Sequence, residues 1–520
     1  MRKFIVALLV VALLAPATVA LPATAASKIP FKLGNEVLFE RYFHLIEGKR
    51  VGLVTNPTGV NSKGEMTSHL LAQDPRVDLV ALFGPEHGYD GKAAAGDYVK
   101  SYIDPDLGIH VYSLYGETRR PTADMLKGIE VLLFDIQDIG ARSYTYISTM
   151  FYVMQEAKKY GIPVVILDRP NPVGGEICEG PVLEEFARGF VGIDNIPIAH
   201  GMTVGELARF FNRRIGATIH VVPMEGYTRD MIWQDTGLDW VPTSPMIPTI
   251  QAAFGYNATG LGSGTGIRQR DYFSWIGGKG IDSKKFAAML NSSKLPGVVF
   301  IPEDRDSEGG VRLQITDYHA FNPTRVNIHA LTYAQQLIKF PVPKSGNNYD
   351  SLSMFAKIMG GNRMGEWLKQ GLTPQQIEAR YAAELNQFKK DREPYLIYGY
   401  LNGPGPHLVV DNTPIYSDVA PFIDKNNRAM VPFRALAQAL GANVHWDGAT
   451  RTVVLRKDRN VVVLTVGQDT VRVNDRTIKI DTVPIIRSDR TMIPVRHASE
   501  LLGAFVHWDQ PSSTVIVTTR

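Results

Sequence analysis

Between positions 50 and 222 short β-branched runs alternate with amphipathic stretches. That alternation leaves few folds open, because it is the pattern of repeated βαβ units around a parallel sheet. It predicts strands at 50–55, 77–83, 131–135, 164–168 and 219–222, with helices at 67–72, 122–126, 148–159 and 203–212. The last helix opens on a capping box, Thr203 with Glu206 three positions on. From 250 to about 400 the periodicity is less regular: a Gly-rich run at 259–266, helices at 283–290, 330–339 and 352–359, and a strand-like stretch at 311–316. This reads as a second, smaller α/β lobe packed on the first.

Beyond the Gly- and Pro-rich segment Asn402-Gly403-Pro404-Gly405-Pro406 the chain repeats itself. Met430-Val431-Pro432-Phe433-Arg434 returns as Met492-Ile493-Pro494-Val495-Arg496, and His445-Trp446-Asp447 returns as His507-Trp508-Asp509, both 62 positions later. A duplicated α+β unit is expected. Two His-Trp-Asp sets lack metal-ligand spacing, and a repeated Trp at a turn is a packing anchor, so no metal is assigned. At the other end, Arg2-Lys3 precedes an apolar run from Phe4 to Ala15, followed by the small residues Ala23-Thr24-Ala25-Ala26. This has the form of a secretory signal peptide, and the run is too short for a spanning helix, so an extracytoplasmic protein with no transmembrane segment after cleavage is expected. The organisation read from sequence is thus a signal peptide at 1–26, a parallel-sheet lobe at 27–222, a second lobe at 223–401, a linker at 402–407 and an accessory domain at 408–520.

Within the first lobe, polar residues gather directly after the strands: Asn56-Pro57-Thr58-Gly59, Gly84-Pro85-Glu86-His87-Gly88, Asp135-Ile136-Gln137-Asp138 and Asp168-Arg169-Pro170-Asn171-Pro172. Any one could be turn chemistry, but four at equivalent places point to one shared site, since ligands of open parallel sheets bind outside the carboxyl ends of the strands. Glu86, flanked by glycines, is the leading acid, although a carboxylate that orders its own loop would look the same. The run from Asp135 to Tyr146, with Asp135, Gln137, Asp138, Arg142 and the phenols Tyr144 and Tyr146, suits a polyhydroxylated, partly anionic ligand such as a sugar acid, while Arg142 could equally pair with Asp135 or Asp138. Prolines fix the aim of Asn171, and His200 precedes the N-terminus of the 203–212 helix.

Charge narrows the partners. With 55 Lys+Arg against 52 Asp+Glu the net charge is only +3, which argues against a nucleic-acid binder built on bulk charge. The single cysteine, Cys178, closes no disulfide and builds no thiolate metal cluster. No dinucleotide or phosphate-loop fingerprint follows the first strand, and there is no H-E-x-x-H or G-x-S-x-G, so no cofactor is expected and a serine esterase is disfavoured.

The segments Gly52-Leu53-Val54-Thr55-Asn56-Pro57-Thr58-Gly59, Gly84-Pro85-Glu86-His87-Gly88, Ser113-Leu114-Tyr115-Gly116, Phe134-Asp135-Ile136-Gln137-Asp138-Ile139-Gly140-Ala141-Arg142, Leu167-Asp168-Arg169-Pro170-Asn171-Pro172 and His200-Gly201-Met202-Thr203 together resemble, in order, the motifs of the exo-β-N-acetylmuramidase family of bacterial glycoside hydrolases. The resemblance runs from about Phe31 to Tyr400. It implies a Rossmann-like lobe with a smaller second lobe, and removal of terminal N-acetylmuramic acid from the non-reducing end of peptidoglycan fragments. It also implies Glu86 as the catalytic residue, with Asn56, His87, Asp135, Gln137, Asp138, Arg142, Tyr144, Asp168, Arg169, Asn171 and His200 shaping the sugar pocket. The second catalytic group could be Asp135 or Asp138, a tyrosine, or the substrate's own N-acetyl group. One stretch, Gly262-Ser263-Gly264-Thr265-Gly266-Ile267-Arg268-Gln269-Arg270, departs from the family pattern and is expected as a flexible loop near the cleft. That departure keeps a non-catalytic peptidoglycan-binding protein in view as the alternative. The repeat after Leu408 resembles a stalk domain named for the N-terminal domain of copper amine oxidases, with cell-wall polymer as its expected partner.

Overall fold

The computed structural model describes residues 31–399, 407–411, 413–415, 421–487, 490–509 and 514–519. The signal segment expected at 1–26 and linker residues 402–406 lie outside these. Seven strands form the central sheet: β1 (Arg50–Thr55), β2 (Asp78–Gly84), β3 (Tyr102–Ile103), β4 (His110–Ser113), β5 (Val131–Asp135), β6 (Val164–Leu167) and β7 (Ile219–Val222). Their order is β3-β4-β2-β1-β5-β6-β7, with every neighbouring pair parallel except β3 against β4.

A parallel sheet is covered on both faces, so its inner strands must be apolar on both. Leu132, Phe134, Val164 and Ile166 join one core with the helices α2 (Tyr146–Lys159) and α3 (Val204–Ile215). Val131, Leu133, Val165 and Leu167 turn to the opposite face, where Leu71 of α1 (Thr67–Gln73) packs. Strands β3 and β4, of 2 and 4 residues, escape the sequence pattern because at a sheet edge they are too short to show a period. The chain leaves β1 on one side to reach β2 and on the other to reach β5, so the switch point where an open sheet binds ligands lies beside β1.

The second lobe carries a four-stranded antiparallel sheet of β8 (Arg268–Arg270), β9 (Trp275–Lys279), β10 (Val298–Pro302) and β11 (Glu308–Ile315) in the order β10-β11-β9-β8. Helices α4 (Ile250–Thr259), α5 (Ser283–Ser292), α6 (Pro323–Ile338) and α7 (Pro374–Arg392) flank it, and its apolar residues continue the core of the first lobe. The Gly-rich segment is not the flexible loop expected from composition. Leu261, Thr265 and Ile267 are buried, and Arg268 and Arg270 both pair with Glu308, so it is a packed turn feeding the β8–β9 hairpin.

The residues beyond 406 have a core of their own, built from Leu408, Val431, Leu436, Val453, Leu464, Ile493, Val515 and their neighbours. The 62-residue duplication appears as two equivalent hairpins, Asn443–Asp447 with Thr452–Lys457 and Phe505–Asp509 with Thr514–Thr518. In them Trp446 stands opposite Val453 and Trp508 opposite Val515, and both indoles pack against the module's core. His407, assigned to the linker by composition, instead opens a strand, His407–Val410, that runs parallel to Thr514–Thr518.

Candidate active site

The loop after β2 is built to present Glu86. A side chain on Gly84 would come within 2.6 Å of the Tyr89 backbone nitrogen, so the turn can close this tightly only on glycine. His87 and Gly88 follow with φ of 71° and 84°, a left-handed pair that is costly for His87 and marks a conformation held by its surroundings. One such restraint is the His87 Nδ1–H, which donates to the Ala93 carbonyl at 2.8 Å. The half-buried Glu86 carboxylate accepts from the Gly96 amide at 3.1 Å through Oε1 and from the Thr145 hydroxyl at 2.5 Å through Oε2.

Phenols surround this acid. The Tyr115 hydroxyl lies against Glu86, and burial, reinforced by the carboxylate's charge, pushes its pKa up to about 12, so it stays a protonated donor. Tyr256 of α4 is pushed up to about 12 by burial, and burial raises Tyr144 and Tyr146 further still. Tyr144 meets Tyr146 and Tyr256 edge-on, with centroids 4.8 Å and 5.7 Å apart. Tyr144 donates to Thr243 Oγ1 at 2.8 Å, Tyr146 donates to the Thr243 carbonyl, and Ser143 Oγ lies 3.2 Å from the Tyr256 hydroxyl. Thr243 and Tyr256 come from beyond the parallel-sheet lobe, so side chains of both lobes gather around Glu86. Asn56 belongs to the same place: its Oδ1 orders Thr58, and its Nδ2 lies beside the Tyr146 hydroxyl.

The other residues singled out from sequence divide. Asp135 is fully buried and fully engaged, with Arg169 Nε at 2.6 Å on Oδ1 and with Thr67 Oγ1 at 2.6 Å and Asn35 Nδ2 on Oδ2. Gln137 is fixed by donating to the carbonyls of Asp138 and Pro170, both at 2.7 Å, and with Arg169 it lines a cavity of about 160 Å³ beside Trp233, outside the contacts of Glu86. Asp138 accepts from the Gly140 amide at 2.7 Å and lies 3.3 Å from His200 Nε2 through Oδ2, while its buried Oδ1 has no protein partner. His200 Nδ1 accepts from the Met202 amide, which assigns the imidazole proton to Nε2, facing Asp138.

Three residues serve the scaffold rather than a sugar pocket. Arg142 pairs with neither Asp135 nor Asp138: it is buried and donates to the carbonyls of Pro181, Ile196 and Ile358, tying the lobes together, and burial pushes its pKa down to about 9. Asp168 caps α3 through the Gly205 amide at 2.7 Å and also accepts from Thr203 and Tyr398. Asn171 shapes its own turn, bonded to the Val173 amide and the Met202 carbonyl.

Sequence reasoning included Tyr146 among the phenols of the run after β5 but passed over Tyr115, Thr145, Thr243 and Tyr256 as individual site residues. Tyr115 and Thr145 had a signal, since Thr145 lies between Tyr144 and Tyr146 and Tyr115 lies in a recognised motif. Thr243 and Tyr256 had none, because only folding brings them near Glu86. Among the described residues no cluster of His, Cys, Asp and Glu could hold a metal ion, and no helix is long and apolar enough to cross a membrane.

A two-lobed α/β fold that sets one half-buried carboxylate among hydroxyls and phenols has a group suited to acid catalysis, and the comparisons with known proteins show the class to be a glycoside hydrolase. Residues 51–251 and 254–398 match the family models of the N-terminal and C-terminal parts of the exo-β-N-acetylmuramidase NamZ, and the chain belongs to that family. It is 42% identical over 388 residues to the peptidoglycan β-N-acetylmuramidase NamZ of Bacillus subtilis, covering 72% of this chain and 92% of that protein. A DUF1343 family protein from Bacteroides fragilis has a TM-score of 0.63 at 35% identity, covering 71% of this chain and 99% of the other. A second from the same organism shares the fold, with a TM-score of 0.55 at 24% identity over 71% of this chain and 99% of the other. Residues 409–517 match the copper amine oxidase N-terminal domain model.

Proposed function

We propose that this protein is a secreted exo-β-N-acetylmuramidase that releases terminal N-acetylmuramic acid from the non-reducing end of peptidoglycan fragments, with Glu86 as its general acid. The observation that carries the assignment is the Glu86 carboxylate, held at the cleft by the Thr145 hydroxyl and the Gly96 amide with the Tyr115 hydroxyl beside it. A carboxyl fixed by donors on both oxygens keeps one orientation as it delivers its proton to the glycosidic oxygen, which is the geometric requirement of acid catalysis. The second group is a carboxylate, a tyrosine or the substrate's own N-acetyl group; of the aspartates at and just after the end of β5, Asp135 is wholly engaged, which favours Asp138, whose Oδ1 has no protein partner, as the carboxylate. Exo action from the non-reducing end rests on the family likeness, and secretion on the N-terminal basic and apolar run.

The test is release of free N-acetylmuramic acid from a MurNAc-GlcNAc disaccharide. Wild-type protein is expected to release it, and Glu86→Gln, which keeps the shape and removes the acid, should lose about 10²–10⁴ in rate. Near-normal turnover by folded Glu86→Gln would refute the acid assignment. Binding without turnover by the wild type, at high protein concentration and long times, would replace the hydrolase reading with a non-catalytic binder.

A further inference from the structure

We propose that Arg119 recognises the carboxylate of the muramic acid lactyl group, and so separates N-acetylmuramic acid from N-acetylglucosamine at the site of Glu86. The inference rests on the muramidase reading and adds to it a specificity-determining residue.

Two consecutive arginines, Arg119 exposed and Arg120 half-buried, are treated differently by the fold. Arg120 has an acidic partner: its guanidinium reaches Glu156, which it shares with Lys159, at 3.2 Å and Gln155 at 2.8 Å while lying over the Tyr152 ring. Arg119 has no carboxylate within ion-pair distance among the described residues. Its guanidinium instead lies over two rings, 4.8 Å from the centroid of Tyr115 and 4.4 Å from that of Phe190. Phe190 is buried and stacks on Tyr152 at 5.9 Å, so this aromatic wall is backed by packing. Stacking on rings fixes the plane of a guanidinium without cancelling its charge, and of its five N–H donors the Tyr115 hydroxyl engages only part, so a carboxylate can still be bound.

The position relative to the acid completes the argument. The Tyr115 hydroxyl meets Glu86 on one side and Arg119 on the other, so the acid and the unneutralised cation share a single phenol. N-acetylmuramic acid differs from N-acetylglucosamine by an O3-lactyl ether, whose carboxylate is carried from C3, two ring atoms from the anomeric carbon. A substrate that places its glycosidic oxygen at Glu86 carries its carboxylate within a few ångströms of it, and Arg119, joined to Glu86 through Tyr115, is the cation set against it. N-acetylglucosamine, and muramic acid whose lactyl group is amidated, offer no charge there.

The experiment compares wild type, Arg119→Gln, Arg119→Lys and Arg120→Gln on three aryl glycosides: β-MurNAc, its lactyl amide and β-GlcNAc. Binding of free N-acetylmuramic acid and N-acetylglucosamine is measured by calorimetry in parallel. Arg119→Gln should lose roughly 10- to 100-fold in kcat/KM on aryl MurNAc, the value of a charged hydrogen-bonded pair, with little change on the amide. Arg119→Lys should recover part of the loss, and Arg120→Gln should leave the ratio between substrates unchanged. Equal losses on charged and neutral substrates, or an unaltered preference in folded Arg119→Gln, would overturn the proposal, as would a wild type that binds both sugars alike. If the wild type prefers N-acetylmuramic acid in binding, Arg119→Gln abolishes that preference and no protein turns over, Arg119 keeps its role while the hydrolase reading falls.

Discussion

The Thr145 hydroxyl donates to Glu86 Oε2, joining the residue that precedes α2 to the acid that follows β2. Thr145 does not use its side chain to cap the helix it precedes, so the hydroxyl is available to the carboxylate. Replacing it by valine keeps the volume and removes only the donor. Thr145→Val is expected to lower kcat/KM on the disaccharide roughly tenfold, the value of a hydrogen bond to a charged group, with an unchanged melting temperature. An unaltered rate in the folded variant would show that this contact does not orient the acid.

The Asp135–Arg169 pair is buried on both sides, at 0% and 2% exposure, and joins the loops after β5 and β6 at the base of the site. Removing one partner strands the other charge in a place water does not reach. Asp135→Asn should therefore destabilise the protein by about 3–5 kcal/mol, read as a lower midpoint in urea. A loss below about 1 kcal/mol would mean that Arg169 finds another partner and that the pair does not hold the base of the site.

Asp168 should make stability fall with rising pH. Burial raises its pKa from 3.8 to about 7, outweighing the hydrogen bonds from Tyr398, Gly205 and Thr203 that favour the carboxylate. The folded state thus holds this proton more tightly than the unfolded chain. The resulting stability is fully present below the unfolded value of 3.8 and is lost as pH climbs through the folded value of about 7. Its full span is on the order of 4 kcal/mol. Asp168→Asn keeps the shape and cannot ionise, so its melting temperature should drop less than that of the wild type between pH 5 and pH 8. Parallel curves for the two proteins would remove Asp168 as the source.

What was legible in the sequence was whatever has a short period. Leu132 and Phe134 against Val131 and Leu133 announce a strand buried on both faces, and Thr203 with Glu206 announces the start of α3, whose box is formed as expected. Glu86 stood out in the sequence because glycines flank it, and the structure places it half-buried beside Thr145 and Tyr115. The aspartates were harder: Asp135, Asp138 and Asp168 look alike in sequence, and only the structure shows one neutralised by Arg169, one with an oxygen free and one capping a helix. Arg142 misled for a similar reason. Its three carbonyl partners include Ile358, more than two hundred positions away, and no local pattern points to a backbone carbonyl. Tyr256 enters the site from the second lobe on the same terms.

The accessory module is closed by its own duplication. Val431 pairs antiparallel with Ile493, its counterpart 62 positions on, flanked by Met430 with Pro494 and Pro432 with Met492, so the two copies meet about a local twofold axis. The first strand, His407–Val410, is completed by the last, Thr514–Thr518. Neither copy is whole without the other, since each leaves a strand unpaired and half of the shared core of Leu436, Val453, Ile493 and Val515 open to water. A chain carrying only residues 407–470 should therefore remain unfolded, whereas 407–520 should unfold in one cooperative transition. A chain ending at residue 405 should keep its rate on the soluble disaccharide, because the described residues in contact with Glu86 lie before that point, and should bind sacculi less well. If that truncation abolished turnover on the small substrate while the two lobes stayed folded, the module would have to be part of the active site. Unaltered binding to sacculi would instead remove its role at the wall.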